Sequence, residues 1–240
     1  MTKERLAVLR GIEQRLSCSF RDILLLDNAL THRSFVNENV DNDCCDNERL
    51  EFLGDAVLEL CISDILMQEF PDYMEGQLSK IRASVVKEQP LAELARKFNV
   101  GDCLLLGKGE EMSGGRDKSS LLANTFEAII AAIYLDCGFK ETLLIVKRLF
   151  SSLIEEGMQK LVYRDYKTMI QELARNRFHD MPHYTLISEY GPDHDKIFEM
   201  ELTIKSIIIT LGRGKSKKEA EQEAAKKALE TLEAKLLIKD

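Results

Sequence analysis

Two hydrophobic periods divide the 240-residue chain. Up to about residue 160, apolar positions recur every three or four residues, the period of a helix with one buried face. Leu6, Leu9, Ile12 and Leu16 mark one short helix over 3–16, and a second follows over 22–31. A longer helix is predicted over 47–70, where Pro71 breaks it. Glu75 opens another, Pro90 sits at or near the first turn of the next, and 139–160 forms a further helix. After the polar end at Glu155-Glu156-Gly157, residues 166–178 read as a helix again, with Met169, Ile170 and Leu173 apolar. The pattern then becomes strand-like in His183–Tyr190, Ile197–Ile204 and 207–211, with Gly191-Pro192-Asp193 turning between the first two. An alanine-rich helix over 218–236 closes the pattern. These periods predict an all-α domain over 1–158, a linker over 159–164, and a small α+β domain (α-β-β-β-α) over 165–236.

Two helices carry unusual polar positions. In 47–70, Glu48, Glu51 and Asp55 (i, i+3, i+7) fall within about 60° of one another, while Leu50, Leu53, Val57, Leu60 and Cys61 gather opposite. Carboxylates sharing one face repel. A solvated acidic face accounts for them, and so does a bound cation. Phe52 lies beside the acids on that nominally wet face, and Gly54 weakens the helix by about 1 kcal/mol unless close packing requires it. The second helix, 121–135, is capped by Ser119 or Ser120 and is apolar almost all round, which marks a buried helix. Its strongly polar positions are Asn124 and Glu127, three apart on one face. A carboxylate there needs a partner or must neutralise. If the two helices cross, Glu51, Asp55, Asn124 and Glu127 form an oxygen-rich cluster of the kind hard cations prefer.

Charge refines this picture. The net charge of −8 argues, taken whole, against a nucleic-acid partner. From Arg164 to Asp240, however, 14 basic residues balance 14 acidic ones, so the whole excess falls in the first 163 residues. Within the neutral part, Arg213, Lys215, Lys217 and Lys218 crowd into six positions. Ser216-Lys217-Lys218-Glu219 has the form of a capping box, which places both lysines in a first helical turn beside free N–H groups. Lysines at a helix N-terminus suit an anion such as phosphate, and equally suit solvent.

The remaining features are bland. An apolar fraction of 45% is ordinary for a globular protein, and no apolar run approaches the ~18 residues of a membrane span. The N-terminal stretch lacks a signal-peptide pattern. The six cysteines show no Cys-x-x-Cys pair or zinc spacing, which suits a reduced, cytoplasmic setting; Cys61 and Cys137 read as small core residues. The glycine-rich stretch 107–115 reads as a surface loop and does not match a phosphate-binding P-loop. His32 reads as a hydrogen-bonded structural group.

Asn47-Glu48-Arg49-Leu50-Glu51-Phe52-Leu53-Gly54-Asp55-Ala56-Val57 resembles the signature of ribonuclease III. Leu30-Thr31-His32-Arg33-Ser34, Ser113-Gly114-Gly115-Arg116 and Leu122-Ala123-Asn124-Thr125-Phe126-Glu127-Ala128 are similar to further segments of that family, in the same order. The C-terminal part resembles a double-stranded-RNA-binding domain, through Thr168, Gln171-Glu172, Gly191-Pro192-Asp193-His194 and Lys215 to Glu221. The resemblance implies a homodimeric endonuclease that hydrolyses double-stranded RNA to 5′-phosphate and 3′-hydroxyl ends, leaves short 3′ overhangs and acts in rRNA and mRNA processing. By the same likeness Glu51, Asp55, Asn124 and Glu127 hold Mg²⁺ (Mn²⁺ substituting), Asp55 and Glu127 are catalytic, and Glu48 and Glu75 belong to the cleavage valley. Phe52 is then the dimer contact. Thr168, Gln171 and Glu172 meet one minor groove, His194 the next, and Lys217 and Lys218 the phosphates. No small-molecule cofactor and no membrane are implied. Many relatives have Asp where this chain has Asn124, which leaves a catalytically weakened RNA-binding protein as the alternative. A di-iron carboxylate protein would want Glu-x-x-His pairs, which the chain lacks.

Overall fold

The computed structural model describes residues 1–39, 45–192, 195–205 and 208–237, with the backbone alone at 159–165, 208 and 233–237. It divides into two compact units, Met1–Gly157 and Met158–Asp240.

The first unit is built on one buried helix. Its helices are α1 (Lys3–Leu16), α2 (Ile23–Ala29), α3 (Arg33–Glu38), α4 (Glu48–Glu69), α5 (Glu75–Val85), α6 (Glu88–Lys97), α7 (Lys108–Met112), α8 (Ser119–Cys137) and the first part of α9 (Phe139–Phe178). From Leu122 to Ile133, α8 buries nearly every side chain, packing against α4, α6 and α2. By length and composition alone α8 could cross a membrane, which counting uninterrupted apolar runs does not reveal. Here it forms the centre of a protein core. Phe126 stacks on Phe98 at 6.5 Å and meets Phe150 at 6.2 Å, joining α8 to α6 and α9. Arginines tie the periphery to backbone carbonyls: Arg116 donates to Gly101 O (2.8 Å) and Leu104 O (3.0 Å), and Arg15 donates to Phe98 O (2.7 Å).

Several expectations are corrected. The stretch 107–115 is not simply a loop: Lys108–Met112 forms a helical turn because the Glu38 carboxylate accepts the free N–H groups of Lys108 (2.9 Å) and Gly109 (3.5 Å). α3 was not visible in the hydrophobic pattern, since none of its residues is buried. α8 starts at Ser119 with Lys118 as N-cap and no side-chain cap, so neither serine performs that role. Leu60, expected on the core side of α4, is exposed. Residues 159–164, expected as a linker, are helical within α9, where Met158 to Asp165 contains neither glycine nor proline to stop a helix. Cys61 is fully buried as expected, whereas Cys137 is half-buried.

In the second unit an antiparallel sheet, ordered β1 (His183–Tyr190), β2 (Ile197–Ile204), β3 (Ile208–Gly214), packs on the last part of α9 and on α10 (Lys217–Leu237). The first two strands match the sequence pattern, and the third runs further than expected. Leu202 is opposite both Tyr184 and Thr210, and Met200 opposite both Leu186 and Gly212. Met200, Leu202 and Ile204 are buried in alternation, and Leu202 and Ile204 pack with Ile170, Ala174 and the alanines of α10. Gly212 lets β3 reach α10, since a Cβ there would lie 2.1 Å from Ala220 O.

Candidate active site

The signature helix is fixed at its start. Asn47, buried at the N-cap of α4, donates its backbone N–H to Thr31 O (2.9 Å) and its side-chain amide to Ala29 O (3.1 Å). His32, which follows Thr31, donates its N–H to Leu105 O (3.0 Å). Its ring Nδ1 accepts from Ser34 N–H (3.2 Å) and lies 2.8 Å from Ser34 Oγ, which accepts from Gly107 N–H (2.9 Å). Burial holds the His32 ring below the usual imidazole range. The expected structural role fits: Thr31 to Ser34 ties α4 to the turn before α7.

α4 and α8 then cross at Gly54. A Cβ at that position would sit 1.9 Å from the carbonyl oxygen of Glu127, so the two backbones touch where only glycine fits. This answers why a helix-weakening residue stands in the signature. The crossing brings the acids of α4 beside the polar face of α8. Burial, then Asp55 and Glu51, push the Glu127 carboxyl up to about 7. Glu51 is likewise raised, by burial first; the Asn124 amide opposes that shift as a hydrogen-bond donor, and Glu48 and Asp55 add to it. No lysine or arginine among the described residues pairs with Glu51, Asp55 or Glu127. Among the described residues the crossing thus gathers three carboxylates with no ion-pair partner of their own. Among the described residues no three His, Cys, Asp or Glu side chains are already grouped as metal ligands.

The other expected site residues are distributed as follows. Glu48 opens α4, with its N–H donated to Asp46 (3.1 Å) and its carboxylate paired with Arg33 at 2.8 Å. Glu75 opens α5, accepts from the Ser79 hydroxyl (2.7 Å) and lines a recess of about 440 Å³ with Ser63, Leu66, Tyr73 and Arg82. It is not among the groups that act on Glu51 or Glu127. Phe52 is 82% exposed, and Leu60 and Met67 are exposed further along α4.

In the second unit, Thr168 and Glu172 are exposed on α9 and Gln171 is half-buried. His194, with Asp193, lies outside the described residues. Ser216 Oγ accepts the Glu219 N–H (3.2 Å), but Glu219 accepts from Lys215 N–H (2.8 Å), one residue before the expected partner. The four crowded cations separate into two pairs. Arg213 binds Glu199 (2.8 Å) and Lys215 binds Asp195 (3.0 Å), whereas Lys217 and Lys218 are exposed and carry no ion pair among the described residues. Sequence reasoning missed Lys167. Its Nζ lies 2.7 Å from Glu221 and 4.5 Å from the centre of the Tyr184 ring, and its N–H donates to Gln222 (3.3 Å). Lys167 thereby joins the element bearing Thr168 to the one bearing Lys217 and Lys218.

A helical unit with an acidic crossing is thus followed by a sheet-and-helix unit with two lysines exposed at a helix start. A family model described as Ribonuclease-III-like matches residues 22–153, and one described as the double-stranded RNA binding motif matches 166–232. Ribonuclease 3 of Syntrophobacter fumaroxidans is 48% identical over 230 residues, covering 94% of this chain and 95% of its own. That of Borreliella burgdorferi is 43% identical, covering 97% and 95%. The nuclease domain of ribonuclease III from Campylobacter jejuni, described as flexible in a region involved in dimer formation, superposes with a TM-score of 0.55 at 44% identity, covering 59% of this chain and 95% of its own. The chain belongs to the ribonuclease III family and is a ribonuclease.

Proposed function

We propose that the chain is a divalent-cation-dependent endonuclease of double-stranded RNA, cutting by phosphodiester hydrolysis to leave 5′-phosphate and 3′-hydroxyl ends. The observation that carries this reading is the α4–α8 crossing at Gly54, which brings Glu51 and Asp55 near enough to Glu127 to add to the rise that burial causes in its carboxyl pKa. Carboxylates held above their ordinary pKa by burial and by one another are stabilised by a cation. Glu51, Asp55 and Glu127 supply hard anionic oxygens and Asn124 an amide oxygen, a donor set that fits Mg²⁺, with Mn²⁺ as substitute. When bound, such an ion supplies Lewis-acid activation of water and neutralisation of the leaving oxygen. Asp55 and Glu127 accept and orient the attacking water, while Glu51 and Asn124 complete the cluster, and Glu48 and Glu75 serve as acidic groups of the cleavage valley.

In this reading Phe52 packs into a second copy of the chain, supported by its exposure with Leu60 and Met67 on one helix and by the dimer-forming region described for the Campylobacter nuclease domain. Lys217 and Lys218 meet RNA phosphates, Thr168, Gln171 and Glu172 one minor groove, and His194 another. Paired cuts leave short 3′ overhangs, and processing of rRNA and mRNA in the cytoplasm is the corresponding role. Incubation with long duplex RNA and Mg²⁺ tests the proposal. Shortened duplexes with 5′-phosphates are expected; intact RNA at high protein concentration would overturn it.

A further inference from the structure

The acidic crossing repels the phosphates of the RNA it is proposed to cut, so a cation at its rim is needed to hold the backbone there. Arg15 and Arg116 are occupied by backbone carbonyls of the fold. Arg33 is different. Its side chain is 60% exposed and donates to the carboxylate of Glu48, whose side chain is 51% exposed, at 2.8 Å. That bond uses one of five guanidinium donors and leaves the others for a further acceptor. Glu48 lies close enough to the crossing to act on Glu51.

Both ends of this ion pair stand on fixed backbone. Arg33 follows His32, whose N–H is bonded to Leu105 O, and Glu48 follows Asn47, bonded to both Thr31 O and Ala29 O. The pair is therefore held in place beside the acids by hydrogen bonds it does not itself make. We propose that Arg33 is a phosphate-binding residue of the nuclease unit, tethered by Glu48 so that its free N–H groups meet the RNA backbone next to the acidic crossing. Glu48 is then a positioning residue for Arg33. A planar guanidinium suits this task because it can bind a carboxylate and a phosphate oxygen at once. The inference rests on the proposed action on double-stranded RNA.

The test uses the full-length chain with Glu127→Gln, to prevent cleavage, and a fluorescent RNA duplex of about 30 base pairs, roughly twice what one RNA-binding domain covers. Binding is followed by anisotropy over a salt series without divalent cations. Adding Arg33→Gln is expected to weaken binding about 3- to 10-fold and to lower the slope of log Kd against log salt by about 1, with Arg33→Lys keeping most of the slope. In the otherwise native enzyme, Arg33→Gln should raise KM more than it lowers kcat, with the melting temperature unchanged. The effect of Arg33→Gln should shrink in a Glu48→Gln background, the signature of a coupled pair. An unchanged Kd and salt slope in Arg33→Gln overturns the inference. Failure of the Glu127→Gln parent to bind duplex RNA would instead count against the proposed function.

Discussion

Gly54 of α4 faces the backbone carbonyl of Glu127 on α8 so closely that a methyl group there would lie 1.9 Å from the oxygen. One contact therefore sets both the packing of the two central helices and the spacing of the acids they carry. Gly54→Ala must push α4 away from α8. Overpacking of this kind costs about 1–3 kcal/mol, and a displaced cluster should lose most of its activity. Chemical denaturation and a cleavage assay on the same preparation check both outcomes.

Glu127 ties stability to pH. Its folded pKa, about 7, lies above the ordinary 4.5. Below both values the group is protonated in either state and contributes nothing; above both, the half-buried anion opposes folding. The metal-free protein should therefore lose stability as pH rises from about 4.5 to about 7. Glu127→Gln should remove that loss, abolish cleavage, and melt higher than the parent at pH 8 but not at pH 4. Melting curves in EDTA across this range decide it, and equal pH dependence in the two proteins would remove the charge argument.

Asn124, as a hydrogen-bond donor, opposes the rise that burial causes in the Glu51 carboxyl. Asn124→Asp replaces that donor with a fourth negative charge. The expected result is tighter Mg²⁺ binding together with lower metal-free stability, read by calorimetric titration and by melting with and without the ion. Weaker Mg²⁺ binding in the Asp variant would count against a cation shared at the crossing.

Phe52 exposes a large ring at mid-signature. Phe52→Asp should shift the chain toward monomer in light scattering while leaving its circular dichroism unchanged. A variant that stays dimeric would place the interface elsewhere.

Lys217 and Lys218 have exposed charges and no ion-pair partners among the described residues. Replacing either by Ala should lower the salt slope of duplex-RNA binding by about 1. Arg213→Ala should do less, because Glu199 already neutralises Arg213. Comparable losses for all three would show that the ion pair does not withhold Arg213 from RNA.

Much of the molecule was determined by the sequence on its own. The change from helical to strand period located β1 and β2 to the residue, and in β2 the alternation of Met200, Leu202 and Ile204 with polar neighbours sets which face is buried. The apolar run of α8 announced a central helix, and Asn124 and Glu127 stood out on it as the strongly polar positions. Elements without a buried stripe stayed hidden: α3 buries none of its residues, and α7 depends on Glu38, some seventy positions away, for its first hydrogen bonds. What only the tertiary structure decided is why the acids of α4 belong with Glu127 of α8. Periodicity describes one helix at a time and sees Glu48, Glu51 and Asp55 as a wet face. The Gly54–Glu127 contact joins two segments more than seventy residues apart, and desolvation at that crossing raises the carboxyl pKa values that no local pattern contains.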